Sequence, residues 1–234
     1  MPNTLQHLAH LVDVIALSRK ECERPIKAHL TYATRDNFIG QVINGYTEGL
    51  TDFALMTKNA AAALCKVQDD LIEQHNISLL IYDSYRPKKA VKHFMRWSSE
   101  PVPVDHNGEH ELKRKNIHYP HIEKDQLFNL GYVAEDSQHC YGHTVDLVLI
   151  DKNEKELDLG ACFDYMDPLS HITVTADEIG EAAHKHRTLL RETMQKHGFI
   201  PYTKEFWHFS FQDKLIKEPI DITISKTLKA LNVV

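Results

Sequence analysis

An acidic residue inside an otherwise apolar run constrains this chain more than any other feature of its sequence. The run is TVDLVLI at residues 144–150, and its β-branched and aliphatic side chains predict a buried strand. Asp146 interrupts that run. A lone buried carboxylate is costly, or shifts its pKa far, unless a cation or a metal ion compensates for it. We therefore expect the fold to bring a compensating group to Asp146.

Two histidines precede this strand, His139 and His143 in the stretch SQHCYGHTVD. Four-residue spacing on a helix would make a zinc-binding pair like that of HExxH. Gly142 between them, and the β-branched run directly after them, favour a strand instead. His139 lies in the predicted loop and can fold back beside Asp146, because Gly142 gives the turn conformational freedom.

A third ligand is expected from EFWHFSF at residues 205–211, a second aromatic and strand-like stretch. Catalytic zinc usually keeps three protein ligands and one open position for water. His208 can supply the third ligand, and Glu205 can take a proton from the water without binding the metal. Residues three apart face opposite sides of an ideal strand, so Glu205 must lie in the turn before the strand or at a bulge. Taken alone, His208 is more typical of a core histidine; its pairing with Glu205 and Asp146 favours the metal site.

Arg86 is the last candidate, in YDSYRPKKAV directly after the apolar run ISLLIY at residues 77–82. That run predicts a buried strand, and Pro87 holds the arginine at a strand-to-helix junction. An arginine fixed there suits the stabilisation of negative charge on a tetrahedral intermediate. The arginine considered alone fits a surface salt bridge equally well.

The set YDSYRP, SQHCYGHTVD and EFWH resembles the D-alanyl-D-alanine dipeptidases of the VanX type. These belong to a zinc D,D-peptidase family that also contains D,D-carboxypeptidases of the VanY type. The family pattern SxHxxGxxxD is met by Ser137, His139, Gly142 and Asp146, and the pattern ExxH by Glu205 and His208. Similarity at residues 32–40, 131–139 and 159–167 extends the resemblance over nearly the whole chain.

The resemblance implies a role for each of eight residues. One zinc ion per chain would be held by three ligands: His139, Asp146 and His208. Glu205 would be the catalytic base, and Arg86 would stabilise the transition state. The dipeptide pocket would be lined by three more residues, of which the third lies near the free amino end: Tyr32, Ser137 and Asp164.

The sequence departs from the family pattern at three positions. His143 and Thr144 stand where small residues are usual, and Phe206 replaces a tryptophan expected before Trp207. The departures leave the ligand set intact and bear on the exact dipeptide preference. We predict that His143 is not a ligand.

The predicted fold is α+β, because helices and strands mix without a regular βαβ alternation. Helices are predicted at about residues 52–74 and 176–197, and strands at 77–82, 144–150 and 206–211. A polar surface excursion is predicted near residues 98–131. The resemblance implies a single domain over residues 1–234, with a central antiparallel sheet flanked by helices.

Composition excludes several classes of partner. A net charge of −6 argues against nucleic acid. The apolar run at residues 11–17 is interrupted by Asp13 and too short to span a membrane, and no basic leader precedes it. Four cysteines without CxxC spacing predict reduced thiols in the cytoplasm. We predict that Cys140 is not a nucleophile paired with His139, because adjacent side chains rarely face each other.

The function predicted from these features is zinc-dependent hydrolysis of D-Ala-D-Ala to two D-alanines by a metal-activated water. Its partner is then a small dipeptide. Two alternatives stay open: a zinc D,D-carboxypeptidase or endopeptidase on longer peptidoglycan peptides, and a non-catalytic zinc-binding recognition protein. Retention of Glu205 and Arg86 argues against the recognition protein, which needs neither. The oligomeric state stays open, as does the choice between antibiotic resistance and D-alanine recycling.

Overall fold

A computed structural model describes residues 8–102 and 106–232 of the protein. Its strands are β1 Leu11–Asp13, β2 Lys27–Ala28, β3 Leu55–Thr57, β4 Ser78–Asp83, β5 Thr144–Ile150, β6 Phe199–Tyr202 and β7 Glu205–Phe211. Its α-helices are α1 Val14–Glu21, α2 Lys58–His75, α3 Lys88–Ser99, α4 His106–His118, α5 Ala176–Ile179, α6 Glu181–Lys196 and α7 Ile224–Ala230. None of these described helices combines the length and the apolar character that a membrane crossing requires.

The strands form a five-stranded sheet in the order β2-β4-β5-β7-β6 and a two-stranded sheet of β1 and β3. The pairs β4–β5, β5–β7 and β6–β7 are antiparallel, and the two-residue edge strand β2 is parallel to β4. The predicted α+β class is confirmed. Strand β5 lies in the centre of the sheet, and all of its residues are buried on both faces, so Asp146 lies in the interior.

Helix α2 begins later than its sequence predicts. The predicted start was near residue 52, but residues 55–57 form β3, which pairs antiparallel with residues 11–13. This long-range pairing overrides the local helix preference of the segment. Helix α2 ends within one residue of its predicted end at about residue 74. Asn76 caps the helix there in the left-handed conformation, with φ of 56°.

The second predicted helix, over residues 176–197, is divided at Gly180. This residue has φ of 86° and ψ of 150°, which no helical residue adopts, so α5 ends before it and α6 begins after it. The three predicted strands are present as β4, β5 and β7, each within one residue of its predicted bounds.

The polar segment near residues 98–131 carries helix α4 and contributes buried side chains. Lys124 Nζ lies 2.8 Å from Glu111 Oε1, and both side chains are at most 10% exposed. Tyr119 and Leu127 are fully buried. The carbonyl of His118 accepts a hydrogen bond of 2.6 Å from the amide of Met166, so this segment supports one wall of the cavity described below.

Candidate metal centre

The three residues predicted to bind a metal lie together at the start of β5. Asp146 is in β5, and His208 is its cross-strand partner in β7. His139 comes from a 3₁₀ turn, Gln138–Tyr141, just before β5. His139 Nε2 lies 3.2 Å from Asp146 Oδ2, His208 Nδ1 lies 3.0 Å from Asp146 Oδ1, and the two ring nitrogens are 3.3 Å apart. Three potential ligand atoms therefore converge on one point.

The ring of His139 is oriented by the backbone. Its Nδ1 lies 2.7 Å from the carbonyl oxygen of Ser84. A carbonyl can only accept, so Nδ1 carries the proton and Nε2 presents its lone pair to the site. Metal-binding histidines are usually held in this way. The turn depends on Gly142, whose φ is 70°, and a Cβ there would lie 2.6 Å from Leu11 Cδ2.

Asp146 is only 2% exposed, and its Oδ1 faces His208 Nδ1 at 3.0 Å. Burial alone would raise the pKa of this carboxyl, but the facing imidazoles of His139 and His208 outweigh burial and hold it well below the usual range. Burial opposes protonation of His208, yet Asp146 and Glu205 together outweigh that effect and raise the pKa of His208 to about 9. The site is thus built around a fixed negative charge, which suits a metal cation.

Glu205 lies beside the three ligands. Its Oε2 is 3.4 Å from His208 Nδ1. The pairing of β6 and β7 shifts register there, from Pro201↔Phe209 to Tyr202↔Glu205. This irregularity places Glu205 and His208 on the same side of the sheet, as the sequence argument required.

Arg86 follows the end of β4 and is largely buried. Its Nε lies 2.8 Å from Asp83 Oδ2, and its Nη2 lies 3.3 Å from Asp146 Oδ2. The rings of Tyr32 and Phe94 each lie 5.1 Å from the guanidinium carbon. Burial would lower the pKa of this guanidinium, but Asp83, Tyr32, Tyr46 and Asp146 together outweigh burial and hold the pKa well above its ordinary value. Arg86 is therefore a fixed cation inside the site, not part of a surface salt bridge.

Asp164 lines the same cavity as Arg86, Glu205 and His208. It is 6% exposed and accepts hydrogen bonds of 3.1 and 3.0 Å from the hydroxyl of Tyr32. Burial, followed by the nearby charge of Asp146, raises its pKa well above the usual range. A buried carboxyl in this position favours a cationic ligand group.

The cavity has a volume of about 170 Å³. Seven of the eight predicted site residues line it, and the eighth, His139, contacts two of them. The seven are Tyr32, Arg86, Ser137, Asp146, Asp164, Glu205 and His208. One water requires roughly 10–15 Å³ on a comparable measure, so a small molecule of several heavy atoms has room here.

Two buried residues near the candidate metal centre, His143 and Cys140, are unsuited to metal binding and to nucleophilic attack. His143 is 1% exposed, neither ring nitrogen has a hydrogen bond within the described residues, and burial lowers its pKa to about 4. It is absent from the described cavity lining. Burial raises the pKa of the Cys140 thiol to about 12, so the reactive thiolate is scarce at neutral pH.

The other departures from the family pattern also lie outside the described cavity lining. Thr144 Oγ1 is 2.8 Å from Ser210 Oγ on the neighbouring strand. The ring of Phe206 packs against the guanidinium of Arg187 at 4.0 Å. These side chains affect packing around the site and do not reach its interior.

Sequence reasoning missed Asp83 and Tyr46, which surround Arg86. The hydroxyl of Tyr46 donates a 2.6 Å hydrogen bond to Asp83 Oδ1. A signal for Asp83 was present, because it is an acid at the end of an apolar run, as Asp146 is an acid inside one. Nothing in the local sequence marks Tyr46, which joins the network only through tertiary packing.

Comparison with known proteins gives a consistent result. A family model named Peptidase_M15 and described as D-ala-D-ala dipeptidase matches residues 18–226. A D-alanyl-D-alanine dipeptidase of Enterococcus faecalis is 40% identical over 189 residues, covering 80% of this chain and 85% of that protein. Proteins of the same name from Streptomyces coelicolor and Escherichia coli are 38% and 30% identical, covering 78% and 79% of this chain and 84% and 78% of their own lengths.

Proposed function

The chain belongs to the Peptidase_M15 family of D-Ala-D-Ala dipeptidases, and from that premise we propose that it hydrolyses the dipeptide D-Ala-D-Ala to two molecules of D-alanine. One observation carries the proposal. A single small cavity is lined by two of the three candidate metal ligands, with the third, His139, in contact with both, and also by a carboxylate beside them, a buried arginine and a second buried carboxyl. These are the groups that hydrolysis of a short peptide with a free amino end requires.

We propose zinc as the metal, held by His139, Asp146 and His208. Zinc with ligands at ~2.0–2.1 Å in a tetrahedron places neighbouring ligand atoms about 3.3–3.4 Å apart. The two histidine nitrogens are 3.3 Å apart, and one ligand atom from each of the three residues lies within 4.8 Å of the other two. Two imidazoles and one carboxylate without a thiolate also fit zinc chemically. When bound, zinc supplies Lewis acidity, which polarises the peptide carbonyl and makes water nucleophilic near neutral pH.

Glu205 acts as the general base in this proposal. Its carboxylate lies 3.4 Å from His208 Nδ1 and lines the cavity, so it can reach a water bound between the ligands and the substrate. Glu205 accepts a proton from the attacking water. It then returns that proton to the leaving amine as the C–N bond breaks.

Arg86 stabilises the negative charge that develops on the carbonyl oxygen. Its guanidinium is already in place and paired with carboxylates, so no reorganisation accompanies the reaction. Removal of one such preorganised donor typically costs about 10²–10³-fold in kcat.

Asp164 binds the ammonium group of the substrate, and Tyr32 and Ser137 line the pocket beside it. A longer peptide has an amide where the dipeptide has its ammonium, and would leave the buried Asp164 carboxyl without a cation. That carboxyl, whose pKa is raised well above the usual range, then stays protonated and forms no ion pair with the substrate. Restriction to dipeptides follows from the loss of that ion pair.

The test is release of D-alanine by purified protein, with and without a chelator and with zinc added back. Release from D-Ala-D-Ala should need zinc, and N-acetyl-D-Ala-D-Ala and a pentapeptide ending in D-Ala-D-Ala should react far more slowly. A matching rate on the pentapeptide contradicts the dipeptide restriction and points to a carboxypeptidase. No release by folded, zinc-loaded protein contradicts the proposed function itself.

Two sequence predictions also stay proposals: a cytoplasmic location and one domain over residues 1–234. All four cysteines are free, which fits a reducing compartment. One cluster of buried apolar side chains extends from Leu8 to Leu228, which fits a single domain. Cell fractionation tests the location, and the number of unfolding transitions tests the domain.

A further inference from the structure

We propose that Asp83 is a positioning residue for Arg86, holding the guanidinium so that its outer N–H groups face the cavity. The proposal rests on the proposed function, in which Arg86 stabilises negative charge during hydrolysis. Asp83 is the last residue of β4 and is 0% exposed. A carboxylate buried this deeply must be paired, and its partners are the residues that hold the site together.

A bulge at the end of β4 brings Asp83 directly opposite Asp146. Strands β4 and β5 pair regularly as far as Ile81↔Leu147, and the next pair is Asp83↔Asp146, so Tyr82 is left out of the ladder. Bulges of this kind re-aim side chains next to active sites. Two like charges facing each other across a sheet repel, so this pair of buried carboxylates requires a cation between them.

Arg86 is that cation, and its contacts fix its direction. Its Nε donates to Asp83 Oδ2 at 2.8 Å, and its Nη2 donates to Asp146 Oδ2 at 3.3 Å. Aromatic rings of Tyr32 and Phe94 pack against it. A planar guanidinium held at Nε has little freedom left, so its Nη groups are directed at Asp146 and the cavity.

The carboxylate of Asp83 is itself held by a second donor. The Tyr46 hydroxyl donates to Oδ1 at 2.6 Å, while Arg86 occupies Oδ2. Tyr46 is buried, at 8% exposed. With one donor on each oxygen, the carboxylate is held in one orientation, and its Oδ2 also lies 3.7 Å from His139 Nδ1. The chain Tyr46–Asp83–Arg86 is therefore a rigid support behind the proposed oxyanion site.

The first test measures kinetics of zinc-loaded Asp83→Asn. We expect kcat to fall about 10–100-fold and KM to change by less than about 3-fold. The same substitution in an Arg86→Met background should cost less than about 2-fold more, because Asp83 acts through Arg86. An equal loss in both backgrounds would show a general structural role and overturn the proposal.

A milder pair of variants covers the case in which Asp83→Asn does not fold. Tyr46→Phe removes only the hydroxyl on Asp83, and we expect kcat to fall about 3–10-fold. The matched control is Tyr85→Phe, which removes a part-buried hydroxyl that donates to the carbonyl of Ile222 at 2.9 Å and accepts from the amide of Ile222 at 3.1 Å. The control should leave kcat within about 2-fold of the wild type. Equal effects of the two substitutions contradict the proposal.

The second test does not depend on activity. In protein labelled with ¹⁵N-arginine, Arg86→Met identifies the Arg86 Nε–H resonance. Its exchange with solvent should be at least about 10-fold faster in Asp83→Asn, with or without zinc, because a charge-assisted hydrogen bond is lost. Unchanged exchange overturns the positioning role. If exchange accelerates but wild-type protein releases no D-alanine, the proposed function fails and the support of Arg86 by Asp83 stands.

Discussion

Two histidines four residues apart, equally buried at 1% exposure, have opposite surroundings. At the metal centre, His139 donates to the carbonyl of Ser84 and turns its other nitrogen to Asp146. At the His143 position, both ring nitrogens lack hydrogen bonds within the described residues. Burial and nearness in sequence therefore do not distinguish the proposed ligand from its neighbour. Contact with the carboxylate of Asp146 does.

The two positions also differ in energetic terms. The polar atoms of His139 are satisfied by the sheet and its neighbours, so its burial serves the site. An unsatisfied buried polar group lowers the free energy of unfolding by about 1–3 kcal/mol. The buried imidazole of His143 therefore lowers stability, and it does not line the cavity. Substitution experiments can distinguish the proposed metal ligand from a buried histidine that only lowers stability.

The largest effect is expected from Asp146→Asn, which removes the charge that both ligand histidines face. Metal content should fall to a small fraction of the wild-type value. Hydrolysis should fall by at least about 10³-fold, because without the metal there is no activated water from which Glu205 can take a proton. Elemental analysis and D-alanine release measure the two quantities. Full metal content in this variant would show that the site is centred elsewhere.

Glu205→Gln should separate chemistry from metal binding. The amide keeps the shape of the side chain but cannot accept the proton, so we expect hydrolysis to fall about 10²–10⁴-fold. Metal content should equal that of the wild type, because Glu205 is outside the three-ligand group. Loss of metal from this variant would make Glu205 a ligand and contradict its role as the base.

Lowering the pH should destabilise the protein through His143. The unfolded chain protonates this residue below about pH 6.5, but the folded protein resists until its pKa of about 4. Stability present above pH 6.5 is therefore lost as pH falls from 6.5 to 4, by up to about 3 kcal/mol. Urea unfolding of the wild type and of His143→Leu across this range measures the loss as a difference. Parallel curves would contradict the prediction.

The smallest effect is expected from His143→Leu at pH 8. An apolar side chain of similar size removes two unsatisfied nitrogens, so the free energy of unfolding should rise by about 1 kcal/mol. Metal content and hydrolysis should stay at wild-type levels. The matched variant, His139→Leu, should lose the metal. A metal-deficient His143→Leu protein would mean that the comparison of the two histidines is wrong.

Much of the fold could be predicted because its strands carry strong local signals. The apolar runs at residues 77–82 and 144–150 became β4 and β5, and the aromatic run at 206–211 became most of β7. The start of α2 could not be predicted, because β3 forms only by pairing with residues 11–13. The break at Gly180 could not be predicted either, because a glycine is free to adopt its φ of 86° and ψ of 150° but is not obliged to do so.

By itself, the sequence determined which groups could do chemistry. An acid in a buried strand demands compensation whatever the topology is, and histidines and an arginine were the available compensating groups. The tertiary structure decided which of them meet. Strand register pairs Asp146 with His208, and a bulge brings Asp83 opposite Asp146 with Arg86 between them. Those contacts join residues about 60 positions apart in the sequence, and local patterns carry no information about register across such distances.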